Sequence, residues 1–110
     1  MANALYPKWK EARLQGTANA ALDGSGTTGV YAVLVDLGTY TYNAAHEFYS
    51  SLSGLVGTEQ EITTKTFTNG LFDGADVVVP SVSGATCEAI VIFIKNAGAS
   101  STWRLVGFFD

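Results

Sequence analysis

The first candidate for chemistry is the stretch GSGTTG at residues 24–29, whose spacing matches the G-x-G-x-x-G loop of dinucleotide-binding proteins. That loop binds a pyrophosphate when a strand precedes it and a helix begins at its end, because backbone N–H groups of the helix hold the anion. Here the strand-like residues 30–35 follow the glycines instead. The sequence therefore favours a connecting loop over a nucleotide site.

His46 is the only histidine, and with Glu47 it begins an H-E pair like that of zinc-binding helices. Such a helix needs a second histidine at position 50, which is Ser50. His46 and Ser50 would be neighbours on a helix, but neither an orienting carboxylate nor a G-x-S-x-G turn accompanies them. We interpret both as residues of a solvated helix face.

The carboxylates and the single cysteine do not complete a catalytic or metal-binding pattern either. Glu59 and Glu61 share one face of a strand-like segment. We interpret them as residues of an exposed sheet edge and not as a catalytic pair of general acid and base. Asp73 and Asp76 lack the remaining ligands of a calcium loop. Cys87 permits no internal disulfide and begins an apolar run. We therefore predict that the chain is not an enzyme and has no catalytic residue, metal site or cofactor.

The composition limits the partners. Charged residues make up 15% of the 110 residues, against about 25% in ordinary globular proteins, which predicts a single domain partly covered by other subunits. The net charge of −4 argues against nucleic acid, and the longest apolar run, residues 89–94, is too short to span a membrane. These features predict a soluble protein made in a reducing cytoplasm.

The start of the chain predicts a short basic helix. Leu5, Trp9 and Ala12 recur at helical spacing, Pro7 suits the first turn and Gly16 suits the position after the last. This segment carries Lys8, Lys10 and Arg13 beside one acid, whereas the rest of the chain has three bases and nine acids. We therefore predict an N-terminal helical arm with a flexible Gly-rich connection over residues 1–29, able to dock on an acidic surface.

Residues 30–110 are predicted to form the β domain. Strand composition occurs at residues 30–35, 59–67, 77–79, 87–95 and 103–109, separated by turn residues. Residues 39–42 indicate either a short strand or an extended approach to a helix. An apolar stripe between Asn43 and Gly54 predicts that further short helix, through Ala45, Phe48, Tyr49 and Leu52. The expected fold is mainly β, a β-sandwich or jelly-roll-like domain with two short helices.

Several stretches resemble a family of small phage and prophage virion structural proteins: MANALYPKWKEA, VLVDLGTYTYNAAHEFYSSL, TKTFTNGLFDGADV, EAIVIF and RLVGFFD. The resemblance covers most of the chain. It implies a head or tail component, and some members are decoration or cement proteins of the capsid exterior. Family members often continue into a further β-hairpin, whereas this sequence stops at Asp110. We expect either that the hairpin is dispensable or that a partner subunit completes the sheet.

The resemblance implies a capsid decoration protein, assembled in the host cytoplasm and placed on the capsid exterior. The expected partners are the major capsid protein and further copies of this chain, as in a trimer. The expected contact residues on the arm are Tyr6, Lys8, Trp9, Lys10 and Arg13. Trp103 and Phe108 are expected to pack between subunits. The alternatives are a tail, neck or fibre component and, from another class, a carbohydrate-binding β-sandwich module.

Overall fold

The computed structural model describes residues 3–110, so the first two residues of the predicted arm lie outside the described part. It contains five strands, β1 (Ala4–Leu5), β2 (Val30–Val35), β3 (Leu55–Glu61), β4 (Ala89–Ile94) and β5 (Arg104–Phe109), and one α-helix, α1 (Pro7–Gln15). The strands form one open antiparallel sheet in the order β1-β5-β4-β2-β3. The predicted mainly β fold is confirmed, while the described residues form a single sheet instead of two stacked ones.

Strands β2 and β4 are largely apolar, and both faces of the sheet are covered along most of their length. Alternate side chains of a strand point to opposite faces. On the first face, Val91 and Phe93 of β4 join the buried Leu105 of β5. On the second face, Ile94 of β4 packs with Val106 of β5. A register shift in the pairing of β4 with β5 accompanies this arrangement.

The two faces are covered by different parts of the chain. The first face lies under residues 36–53, which contribute an aromatic and aliphatic layer: Leu37, Tyr40, Tyr42, Tyr49 and Leu52. The second face is covered by Trp9 of α1, by Leu22, and by Ile62 and Phe72. The second cluster has fewer buried residues, which leaves part of this face open to solvent.

The predicted N-terminal helix is confirmed at both of its ends. Pro7 occupies the first turn, and Gly16 ends the helix in the left-handed conformation with φ of 66°. Leu5, however, belongs to β1 and not to the helix. The reason is that the Tyr6 backbone N–H donates to the Val106 carbonyl at 2.9 Å, which extends the pairing of β1 with β5.

The predicted second helix is wrong. The chain makes a turn near His46 and a single 3-10 turn over Tyr49–Ser51. Long-range pairing takes the backbone groups that a helix would use, since Leu105 N–H donates to the Glu47 carbonyl at 3.0 Å and Tyr49 N–H donates to the Trp103 carbonyl at 2.7 Å. Two residues of the predicted apolar stripe, Tyr49 and Leu52, still pack on the sheet, but they do so from an irregular segment.

Other predicted strands are also corrected. The third strand begins at Leu55, which pairs with Val35, and it ends before the residues 62–67 that the sequence assigned to it. Residues 77–79 form no strand, and residues 39–42 form neither a strand nor an approach to a helix. Tyr40 instead closes a turn, with its N–H on the Asp36 carbonyl at 2.9 Å. Among residues 3–110, no helix is long and apolar enough to cross a membrane.

Candidate functional site

An apolar groove lies on the second face of the sheet, close to the β1 edge. Its floor is formed by Ile92, Val106 and Phe109, and its volume is about 360 Å³. Trp9 and Leu22 lie on one side, and the turn that contains Phe67 and Leu71 lies on another. We call this feature the apolar groove.

The walls of the apolar groove are unusually exposed for side chains of their type. Leu71 is 67% exposed, Phe67 is 48% exposed and Leu5 is 43% exposed. Contiguous exposed apolar side chains typically mark an interaction surface, whereas isolated ones are common on any protein. Among the described residues, no charged side chain lines the groove. The geometry of the groove therefore suits an apolar segment of a partner.

The three basic residues of α1 lie in different surroundings, and Lys8 lines a depression separate from the groove. Arg13 and Asp23 line a depression that shares Trp9, Leu22 and Phe67 with the groove. Lys8 contacts Glu11 at 3.4 Å, and Lys10 is exposed. Within the described residues, neither Lys10 nor Arg13 forms an ion pair. Lys10 and Arg13 are therefore exposed positive charges on the surface of α1.

Trp9, expected to contact a partner, is anchored to its own chain. Its indole N–H donates to the Ala20 carbonyl at 2.9 Å, and the ring is half-buried at the side of the groove. The connection that follows α1 is consequently packed against the helix at Ala20, although the sequence predicted a flexible linker. The exposed part of the Trp9 ring is accessible from the groove.

Two other expected contact residues are fully buried within the chain. Tyr6 and Phe108 have no exposed surface, and both pack against the Tyr42 ring, with ring centres 5.1 and 5.4 Å away. These two side chains therefore pack in the core of their own chain, and they do not contact a partner directly as was expected. The physical reason is that β1 pairs with β5 and brings Tyr6 under the loop of residues 36–53.

Trp103 is half-buried and held by its own chain. Its ring stacks on Phe93 at 6.0 Å between centres, and its N–H donates to the Gly98 carbonyl at 3.1 Å. The Lys95 ammonium lies 4.8 Å from the Trp103 ring centre and 2.8 Å from a Glu59 carboxylate oxygen. Trp103 therefore closes one end of the first core and exposes only part of its ring.

The residues that first suggested chemistry have structural partners. The Gly26 N–H of the glycine loop donates to the Glu61 carboxylate at 2.8 Å, so this amide already binds an anion of the same chain. His46 is partly buried, and its Nδ1 forms a hydrogen bond of 2.9 Å with the Tyr40 hydroxyl. Glu47 pairs with the buried Arg104 at 3.0 Å. Among residues 3–110, no three His, Cys, Asp or Glu side chains are grouped to hold a metal ion.

Sequence reasoning missed the walls of the groove. Phe67 ends the predicted strand 59–67, and Leu71 and Phe72 occur among turn residues whose composition predicts a loop. The available signal was the apolar character of this turn, since NGLFDG places two large apolar side chains between two glycine turns. Arg104 was also missed as a buried cation, because nothing near it in sequence identifies Glu47 as its partner.

Comparisons with known proteins found no matching protein family, curated protein or solved structure. The class of the molecule therefore follows from its own geometry. It is a small domain with one open antiparallel sheet, an apolar groove on one face and a basic helix beside that groove.

Proposed function

We propose that this chain is a bacteriophage virion structural protein that decorates the capsid exterior and binds the major capsid protein. The observation that carries the proposal is the position of the exposed apolar groove directly beside the basic helix. The helix offers positive charge to an acidic capsid surface, and the groove offers an apolar surface to a neighbouring subunit. The resemblance of the sequence to small virion proteins supports the same function.

In this proposal, α1 faces the capsid. Lys8 and Lys10 supply positive charge on a chain whose remainder is acidic, so the helix is the part attracted to an acidic capsid surface. We also propose that the β-sandwich or jelly-roll arrangement forms only in the assembly, where a neighbouring subunit covers the open part of the second sheet face. The protein then stabilises the shell against the pressure of the packaged DNA.

The first test is the copy number of this chain in purified particles, measured by quantitative mass spectrometry against the major capsid protein. A decoration protein is expected at one copy per capsid subunit, or at a simple fraction of that number. A few copies per particle would instead support the tail, neck or fibre alternative. Absence from the particles would contradict a virion role and direct the work to glycan binding by the isolated protein.

The second test concerns the contact itself. The double substitution Lys8→Ala with Lys10→Ala is expected to lower capsid occupancy, and added salt is expected to weaken the binding of the unchanged protein. The matched control is Lys8→Arg with Lys10→Arg, which keeps both charges and is expected to bind. Equal occupancy for the alanine and arginine variants would exclude α1 as the charged contact.

A further inference from the structure

A second exposed apolar element lies at the opposite edge of the sheet. Residues 77–82 read VVVPSV and lead towards β4, and Val78 is 76% exposed. Within the described part of the chain, no hydrogen bond joins residues 76–87 to a residue outside that segment. β-branched residues normally occupy strands, so this segment has the composition of a strand without a strand's partner. We call residues 77–82 the valine segment.

The valine segment is held away from the apolar groove of its own chain. Val79 and Val82 lie over Gly57 of β3, with side-chain carbons 3.1 and 3.5 Å from the position of a Cβ atom at that glycine. Gly57 has φ of 73°, a conformation that favours glycine and leaves room for the two valines. Because β3 and β1 are opposite edges of the sheet, the segment and the groove lie on different sides of the molecule.

The two surfaces are complementary in chemistry. The groove has an apolar lining, and its neighbouring depression contains Arg13 with Asp23. The valine segment has no charge of its own and directly follows the exposed carboxylate of Asp76. Among the described residues, neither Arg13 nor Asp76 has an ion-pair partner. A second copy of this chain carries apolar side chains that match the groove and a carboxylate that matches the charge of Arg13.

We propose that the valine segment of one copy lies in the apolar groove of a second copy, with Asp76 beside Arg13. This contact joins two different surfaces, so each copy keeps one free segment and one free groove. Contacts of this kind build a closed ring, such as a trimer, or an open chain. The inference concerns self-association in solution and holds whether or not the protein binds a capsid.

The test uses the purified chain in light scattering coupled to gel filtration, from micromolar concentration to about 1 mM. The unchanged protein is expected to form oligomers, and Leu71→Asp in the groove and Val78→Asp in the segment are each expected to give monomers. Both positions are exposed, so neither aspartate is expected to unfold the domain, which far-UV circular dichroism checks. The matched control is Leu14→Asp, at a leucine that is 88% exposed on α1 outside the groove.

Mixing the two variants gives the decisive result. The Val78→Asp protein retains its groove and the Leu71→Asp protein retains its segment, so a one-to-one mixture is expected to form a heterodimer and nothing larger. Arg13→Glu and Asp76→Lys are each expected to weaken association by at least about tenfold, and the double variant is expected to restore it. A monomeric unchanged protein, or disruption by Leu71→Asp without disruption by Val78→Asp, would overturn the proposal.

Discussion

The hydroxyl oxygens of Tyr6 and Tyr40 lie 2.8 Å apart in the core, although 34 positions separate the residues in sequence. The Tyr40 hydroxyl also lies 2.9 Å from Nδ1 of His46. Both hydroxyl protons are satisfied when Tyr6 donates to Tyr40 and Tyr40 donates to His46. The chain of hydrogen bonds thus links the β1 end of the molecule to the loop over the first sheet face.

Replacing the middle residue of this chain is expected to destabilise the protein. Tyr40→Phe leaves the buried Tyr6 hydroxyl without its partner, and such a loss costs about 1–3 kcal/mol. The loss is measured as the decrease in the free energy of unfolding, determined in urea. The control is Tyr42→Phe, since the Tyr42 hydroxyl makes no hydrogen bond to another described residue. Equal losses for the two variants would show that the hydroxyl chain contributes nothing.

High pH is expected to unfold the protein cooperatively. Burial raises the pKa of Tyr6, Tyr40 and Tyr49 above the usual value of 10.0, and in Tyr6 the hydrogen bond with Tyr40 raises it further. A raised pKa in the folded state means that the stabilisation is complete below pH 10 and is lost as the pH rises. Tyrosinate absorbance and circular dichroism are expected to change together. Ionisation of all five tyrosines in a folded protein would contradict this expectation.

The buried ion pair is expected to contribute more than an exposed one. Glu47→Gln leaves the Arg104 guanidinium, which is buried, without its counterion. We expect a loss of about 1–2 kcal/mol, below the 3–5 kcal/mol of fully buried pairs because Glu47 is partly exposed. Glu11→Gln removes the partner of Lys8 from an exposed pair, where about 0–1 kcal/mol is typical. Thermal unfolding of both variants tests the difference, and equal effects would refute it.

Acid is expected to remove the contribution of Glu59. The hydrogen bond from Lys95 lowers the pKa of Glu59 below its usual value of 4.5. A lowered pKa in the folded state means that the stabilisation is present above pH 4.5 and disappears as the pH falls through the folded value. The pair is partly exposed, so its contribution is about 1 kcal/mol or less.

The variant Glu59→Gln is therefore expected to be less stable than the unchanged protein at neutral pH and equally stable in strong acid. Unfolding curves in urea, collected across this pH range, measure the difference. Asp23→Asn is the control, because Asp23 has no ion pair within the described residues. A difference that persisted unchanged at low pH would assign the effect of Glu59→Gln to packing and not to charge.

Local patterns in the sequence were sufficient for the elements whose structure depends on local chemistry. Pro7 and Gly16 determine where α1 begins and ends, because one fits the first turn and the other adopts the left-handed conformation. The strands at residues 30–35 and 89–94 follow from β-branched residues that are apolar on both faces. These features require no knowledge of the partner strand.

The sequence pattern failed where distant backbone groups compete with local ones. The apolar stripe at Ala45, Phe48, Tyr49 and Leu52 has helical spacing, yet the backbone at Glu47 and Tyr49 pairs with the start of β5. Likewise, the valines of residues 77–79 have strand composition without a partner within the described chain. Local propensity contributes less free energy than the tertiary contacts that compete with it.

The sequence by itself determined a small, mainly β domain with a basic N-terminal helix, because composition, charge and periodicity are local properties. Only the tertiary structure decided which side chains are available to a partner. Pairing of β1 with β5 buries Tyr6 and Phe108, and the same pairing places Leu5 beside the turn that carries Leu71. Burial and exposure depend on which strands meet, and strand order is a long-range property that spacing along the chain does not contain.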